Sequence, residues 1–231
     1  MLTLAFDTSS KTAAVAILRN DAVLYDSLIN NELNHSEVLL PAIDQACIQT
    51  GIRITDIDLF ACTLGPGSFT GLRIGAGTLK GFMMATGKPA VGISSLAALA
   101  LNAGNNSKII CSLMDAGRGQ VYRAYFRYNE KRLMEKIITE QAVSPNDIAD
   151  EFDDETILVG DGAIVYADIL RKKIKREKIN IAPSVHQYIR ASSVGILGLE
   201  KYHRGELLDP ATVVPLYLRS ADAEKKSLFE N

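Results

Sequence analysis

Cysteine and histidine are scarce in this sequence, with three of each in 231 residues. An odd number of cysteines, each set among apolar neighbours, excludes the disulfide framework of small secreted proteins. Cys47, Cys62 and Cys111 are therefore expected to be small core residues in a reducing, cytoplasmic environment. The histidines at 35, 186 and 203 make no metal-ligand spacing with one another or with a cysteine. The sequence thus predicts no metal site.

The charge balance and the hydropathy pattern exclude two further classes of protein. With 25 Lys and Arg against 27 Asp and Glu, the formal net charge is −2, so no global excess of charge favours nucleic acid or an anionic membrane. No apolar run is long enough to span a bilayer, and Met1 leads directly into a strand pattern without a signal peptide. We therefore expect no membrane contact, and one large domain or two of ordinary size.

A strand meander and two long helices are predicted in the first half of the chain from its apolar periodicity. The predicted elements are strands at 2–6, 12–18 and 22–29, a helix at 35–50, a strand ending at Leu64 and a helix at 72–85. After the linker NAGNNS, the pattern strand, Asp, turn, strand, turn, strand recurs at 109–139. This predicts an α/β fold of two duplicated lobes, 1–103 and 104–210, each with a mixed sheet and helices, and a C-terminal segment with a mobile tail at 211–231.

The glycine-rich motif GPGSFTGLRIG at 65–75 joins the buried strand to the second helix. It matches neither the Walker A loop nor the dinucleotide fingerprint, so ordinary phosphate binding does not explain it. Ser68 is predicted to cap the helix, because the motif does not match the GxSxG nucleophile elbow of a hydrolase. Small residues spaced by four form two ridges, which could pack on the chain's own sheet or on a partner. The ridges are Gly67, Gly71 and Gly75, and Gly77, Gly81 and Ala85.

Five motifs resemble those of the bacterial TsaB (YeaZ) family. They are DTSSKTAAVAI, HSEVLLPAI, GPGSFTGLRIG, MDAGRGQVY and VVPLYLR, and they extend over essentially the whole chain in the family's order. The resemblance implies an actin-like ATPase (ASKHA) fold, which sugar kinases and heat-shock chaperones share. It also implies a non-catalytic subunit that pairs with the catalytic TsaD protein. With the ATPase TsaE, that pair installs a threonylcarbamoyl group on the adenosine beside the anticodon of ANN-decoding tRNAs.

The similarity to the catalytic relatives ends where those proteins supply metal ligands. After a strand like the one at 89–91, they carry two metal-binding histidines at positions i and i+4 of the next helix. The corresponding positions in this sequence are Ser95 and Leu99. A serine hydroxyl is a poor ligand for iron or zinc and leucine is none, so no Lewis acid is expected to polarise an acyl group. The chain is therefore predicted not to be an enzyme.

Asp7, Thr8, Asp115 and Gly160 are the candidates for a nucleotide cleft. Asp7 and Asp115 follow equivalent strands and could flank a phosphate and its magnesium, as in actin-like ATPases, but Asp is also a common turn residue. The second half lacks a full glycine-rich adenosine loop. We therefore expect no cofactor beyond weak or vestigial nucleotide binding. A nucleotide-binding ATPase or kinase, and less so a peptidase, are the alternative functions.

A partner surface is predicted on the helices at 35–50 and 72–85, which carry more apolar side chains than one sheet face needs. Antiparallel pairing with the same helices of a related chain would form a four-helix bundle. The resemblance assigns the TsaD contact to this surface, and a homodimer to the same patch when TsaD is absent. The residues assigned to it are His35, Leu39, Ile43, Ala46, Gly67, Gly71, Ile74, Gly75, Thr78 and Phe82. A bulky Gly75→Leu exchange is expected to abolish pairing.

Two further contacts follow from the resemblance and the charge pattern. TsaE is expected to bind at the resulting heterodimer. The basic run RKKIKREK at 171–178 could contact tRNA phosphates, or it could be a solvated helix end. We expect tRNA to bind at most indirectly.

Overall fold

The structure is a computed structural model that describes residues 1–31, 34–148, 155–173 and 179–218. The strands within these ranges are β1 (Leu2–Asp7), β2 (Ala13–Arg19), β3 (Ala22–Ile29), β4 (Leu59–Gly65), β5 (Ala90–Ser94), β6 (Ile109–Gly117), β7 (Gln120–Tyr128), β8 (Met134–Val143), β9 (Thr156–Val159) and β10 (Ile179–Ile181). The α-helices in the same described ranges are α1 (His35–Thr50), α2 (Phe69–Thr86), α3 (Ser95–Leu101), α4 (Asp161–Val165), α5 (Ala167–Lys173) and α6 (Ala191–His203). Within the described residues, no helix is both long and apolar enough to cross a membrane.

The strands form two five-stranded sheets of the same topology. The first sheet has the order β3-β2-β1-β4-β5, and the second has the order β8-β7-β6-β9-β10. In each sheet the first three strands form an antiparallel meander, while the last two run parallel to the first strand. The predicted α/β class and the internal duplication are therefore confirmed.

Helices cover both faces of the first sheet, because side chains alternate between the faces along each strand. Leu4 and Phe6 of β1 pack with α1 and α2 on the outer face. Ala5, between them, faces the interior, where α3 and α6 separate the two sheets. Small side chains let α6 lie close to this face, since a Cβ at Gly198 would lie 2.8 Å from that of Ala61. Helices α4 and α5 cover the far face of the second sheet.

Helix α6, which follows all the strands of both sheets in the sequence, packs on the first sheet. The predicted boundary at 103/104 falls between β5 and β6, and so separates the strands of the two sheets. Helix α6, however, lies within the predicted second lobe and contacts β1, β2, β4 and β5. The division into lobes stays a prediction, but the core of the first sheet needs residues from both sides of it.

Helix α2 begins three residues earlier than predicted. The Ser68 side chain accepts a hydrogen bond from the Gly71 backbone N–H at 3.3 Å, so the predicted cap is confirmed. The first turn was missed because Thr70 and Gly71 interrupt the apolar pattern. Helices α4 and α5 are separated by a break at Tyr166. The predicted tail beyond 218, and most of the basic run at 171–178, lie outside the described residues.

Candidate functional site

A cleft of about 890 Å³ opens between the two halves of the molecule. The turn after β1 and the first turns of α1 and α2 form one wall, with Ser10, Lys11 and His35 among the lining residues. The β6–β7 turn and the start of α4 form the other wall, which carries Asp115 and Asp161. The His35 ring nitrogen Nε2 lies 2.7 Å from the Ser10 carbonyl oxygen, which ties α1 to the turn after β1.

Asp7 and Thr8 lie behind the first wall and are not among the residues that line the cleft. Asp7 is fully buried, and its Oδ1 accepts hydrogen bonds from the Ser9 backbone N–H at 3.0 Å, the Ser9 hydroxyl at 2.6 Å and the Thr63 hydroxyl at 2.5 Å. Burial raises the pKa of Asp7, although these hydrogen bonds oppose the shift. The Thr8 hydroxyl donates to the Gly71 carbonyl at 2.8 Å. Asp7 therefore ties the turn to β4 and Thr8 ties it to α2, which supports the turn interpretation.

Asp115 lines the cleft, but its carboxylate is engaged within its own lobe. Its Oδ1 accepts hydrogen bonds from the Gly117 backbone N–H at 2.9 Å and the Tyr166 hydroxyl at 3.1 Å. The Asp161 carboxylate accepts from the Asp115 backbone N–H at 3.0 Å, and burial, with the nearby Asp115 charge, raises the pKa of Asp161. A phosphate entering here would face two carboxylates, so this wall disfavours an anion that no cation accompanies.

Packing explains the identity of three further candidate residues, Gly160, Ser95 and Leu99. A Cβ at Gly160 would collide with the Leu113 carbonyl oxygen, and its φ of +119° is unfavourable for other residues. Ser95 and Leu99 lie on α3 with exposures of 0% and 1%, packed between the two sheets. Across the residues that the structure describes, no three His, Cys, Asp or Glu side chains are grouped so that they could hold a metal ion.

The two glycine ridges of α2 face opposite ways. Cβ atoms at Gly67 and Gly71 would overlap the backbone of Ser9 and Thr8, and one at Gly75 would lie 2.6 Å from the Thr8 hydroxyl. Gly77 and Gly81 have no atom within 4 Å of such a Cβ. The first ridge therefore packs on the chain's own β1 turn, and the second is open to solvent.

This arrangement corrects part of the predicted partner surface. Leu39 and Ala46 are buried in the apolar core under the first sheet, while Gly71 and Gly75 face the β1 turn, so a partner cannot reach these four positions in this structure. The helical period explains the error, because core and interface positions look alike in a sequence. The other assigned residues are half-buried or line a groove: His35, Ile43, Gly67, Ile74, Thr78 and Phe82.

The outer face of α1 and α2 is apolar and exposed. Leu40, Ile48 and Met84 are 55%, 65% and 72% exposed. A groove of about 560 Å³ runs along this face, with Cys47 and Phe82 among its lining residues. Burial, together with the nearby Asp44 charge, raises the pKa of the Cys47 thiol, so this side chain is neutral. Sequence reasoning missed Ile48 and Met84. Ile48 follows Leu40 on α1, and Met84 follows Gly77 on α2, each at a spacing of about two helical turns.

Tyr217 forms a cluster that sequence reasoning also missed. Its ring centroid lies 4.9 Å from that of Phe69, and its hydroxyl accepts a hydrogen bond from Arg73 Nε at 3.2 Å. The Arg73 guanidinium carbon lies 3.8 Å from the Phe69 ring centroid. No local pattern connects residues that are 144 positions apart.

Comparison with known proteins identifies similar sequences over most of the chain. The family model described as "TsaD: tRNA N6-adenosine threonylcarbamoyltransferase" matches residues 30–227. The "tRNA threonylcarbamoyladenosine biosynthesis protein TsaB" of Bacillus subtilis is 31% identical, over 98% of this chain and 97% of that protein.

Comparison with solved structures shows the fold. The structure of YeaZ from Pseudomonas aeruginosa superposes with a TM-score of 0.81 at 24% identity, over 94% of this chain and 99% of that one. Component A of the (R)-2-hydroxyglutaryl-CoA dehydratase of Acidaminococcus fermentans has a TM-score of 0.53 at 11% identity, over 88% and 99% of the two chains. These similarities, with the duplicated sheets, confirm the predicted actin-like class.

Proposed function

Because the chain belongs to the TsaB (YeaZ) family of tRNA threonylcarbamoyladenosine biosynthesis proteins, we propose that it serves this modification as a non-catalytic subunit. In this proposal it forms a heterodimer with TsaD, which carries the catalytic site. The observation that carries the proposal is the exposed apolar face of α1 and α2 in a chain of this family.

The chemistry of that face supports a protein partner. Three large apolar side chains on this face, Leu40, Ile48 and Met84, are exposed to solvent, and Leu40 and Ile48 line the groove. Such exposure is costly unless a partner covers it. Beside them, the open ridge at Gly77 and Gly81 allows a second helix to approach α2 closely. A related chain that presents its own two helices would complete a four-helix bundle. The same face would join two copies of this chain when TsaD is absent.

The packing of α3 supports a non-catalytic role. The resemblance matches Ser95 and Leu99 to the metal-binding histidines of the catalytic relatives, and both side chains are buried between the sheets. Histidines there would have to enter a close-packed apolar layer, where imidazole nitrogens need hydrogen-bond partners or a metal. In the proposal TsaD therefore supplies the metal and the acyl chemistry, and this chain stabilises the active arrangement of TsaD and helps to recruit TsaE.

Reconstitution tests the proposal. Modified adenosine is quantified with TsaD, TsaE, threonylcarbamoyl-AMP, ATP and tRNA, with and without this chain. We expect modification only when the chain is present, and none from the chain by itself. Full modification without it would contradict the proposal. Tight binding of magnesium nucleotide by the isolated chain, lost on Asp115→Ala, would instead support an ATPase or kinase.

A further inference from the structure

Residues 207–218, here called the C-terminal strap, contact the first sheet at β5 and at the end of β4. The strap is held at two points: the Leu208 backbone N–H donates to the Ala90 carbonyl at 2.9 Å, and the Leu216 backbone N–H donates to the Leu64 carbonyl at 2.6 Å. The second point requires glycine at 65, because a Cβ there would lie 2.5 Å from the Leu216 carbonyl oxygen. The end of the strap therefore reaches the first turns of α2.

The strap places Tyr217 where it fixes the orientation of Arg73. The Tyr217 hydroxyl accepts a hydrogen bond from Arg73 Nε, and the Phe69 ring lies under the Arg73 guanidinium. The Phe69 and Tyr217 rings also pack against each other. A guanidinium that is stacked on one side and hydrogen-bonded at Nε has little rotational freedom left. Its two terminal nitrogens are not used by the Tyr217 contact.

Arg73 itself is exposed, and within the described residues no carboxylate neutralises its charge. Its hydrogen-bond acceptor is a neutral phenol, and none of the carboxylates in the described parts of the chain forms an ion pair with it. Arg73 precedes Gly77 by four residues, so it continues the open ridge of α2 towards the helix N-terminus. A partner that covers this ridge would reach the guanidinium.

We propose that Arg73 is a pre-oriented anchor for a carboxylate on the protein that docks against α2, and that Tyr217 is the residue that positions it. The inference rests on the proposed function and adds the chemistry of the contact. Charge-assisted pairing of a guanidinium with a carboxylate is strong and directional, and a side chain that is already ordered loses less entropy on binding. The strap thus contributes to docking through Arg73.

Affinity for purified TsaD tests the proposal, with Arg19→Ala as the matched control. Arg19 is also exposed, but it lies at the opposite end of the β1–β2 pair from the cleft. We expect Arg73→Ala to raise Kd at least about tenfold and to weaken the salt dependence of Kd, as loss of an ion pair requires. Arg73→Lys keeps the charge and should restore the salt dependence but only part of the affinity. Tyr217→Phe should raise Kd about two- to fivefold with unchanged salt dependence, and Arg19→Ala should leave Kd unchanged.

Hydrogen exchange gives a readout that does not need the partner. In Tyr217→Ala, the Leu216 amide should exchange at least several-fold faster, while the Leu208 amide, held at the other end of the strap, should keep its protection. If the wild-type chain binds TsaD and Arg73→Ala binds it with the same Kd, the anchor role of Arg73 is overturned and the proposed function stays intact. Failure of the wild-type chain to bind TsaD would overturn both.

Discussion

Replacing Gly75 and Gly77 by alanine should change stability in opposite directions, although both lie in the middle of α2. At Gly75 the new Cβ would lie 2.6 Å from the Thr8 hydroxyl and 3.1 Å from the Cys62 sulfur. The hydroxyl cannot simply move away, since it donates to the Gly71 carbonyl at 2.8 Å. Overpacking of this kind costs about 1–3 kcal/mol, and loss of that hydrogen bond costs about 1 kcal/mol more.

Helix propensity opposes these costs at both positions. Exchange of an interior glycine for alanine stabilises a helix by roughly 1 kcal/mol. At Gly75 the net effect is therefore a loss of about 1–3 kcal/mol. At Gly77, where no atom lies within 4 Å of the new Cβ, the gain of roughly 1 kcal/mol remains.

Thermal and urea unfolding of the two variants measure this difference. For a chain of this size, we expect the melting temperatures to differ by roughly 5–15 °C, with Gly77→Ala above the wild type and Gly75→Ala below it. Equal shifts in both variants would refute the assignment of the two ridges to opposite faces. A dimeric sample would complicate the comparison, so both variants are measured over a range of protein concentrations.

Three further predictions concern docking and pH. Gly81→Leu should leave the melting temperature of the chain within about 3 °C of the wild type but abolish TsaD binding in a pull-down, because the added side chain lies on the open ridge. Intact binding would place the contact elsewhere. Burial raises the folded-state pKa of Asp7. The free energy of unfolding of the wild type should therefore fall, relative to that of Asp7→Asn, as pH rises from about 4 through the raised pKa. A difference between the two proteins that does not vary with pH would contradict this. Burial raises the pKa of Glu140, but hydrogen bonds from Lys136 and Ser94 hold the pKa below its ordinary value. The stability that Glu140 adds over Glu140→Gln should therefore be present above about pH 4.5 and be lost as pH falls through the folded-state pKa. Equal acid sensitivity of the two proteins would argue against the contact.

Local sequence signals were enough to predict most of the fold. The β-branched runs and turns predicted both meanders, and Gly51 ends α1 in the left-handed conformation expected of a helix-stopping glycine. The repeated Asp-containing turn predicted two equivalent sheets. These features depend on neighbours within a few residues, which a sequence displays directly.

The site was harder to predict, because its contacts join distant parts of the chain. Both glycine ridges have the same spacing, and only the position of Thr8 shows which one is buried. The apolar stripe of α1 could be assigned to a partner or to the core, and the structure places Leu39 in the core but Leu40 in solvent. The contact between Arg73 and Tyr217 has no local signature at all.

The position of α6 has a consequence for synthesis of the chain on the ribosome. The inner face of the first sheet, which includes Ala5, Ala61 and Val91, is covered by a helix that ends at His203. About 100 residues must be added after β5 before that helix exists, which takes on the order of 5–20 s at the usual rates of elongation. During that interval the nascent first sheet presents an uncovered apolar face, and the chaperones that meet unfinished chains have a surface to bind.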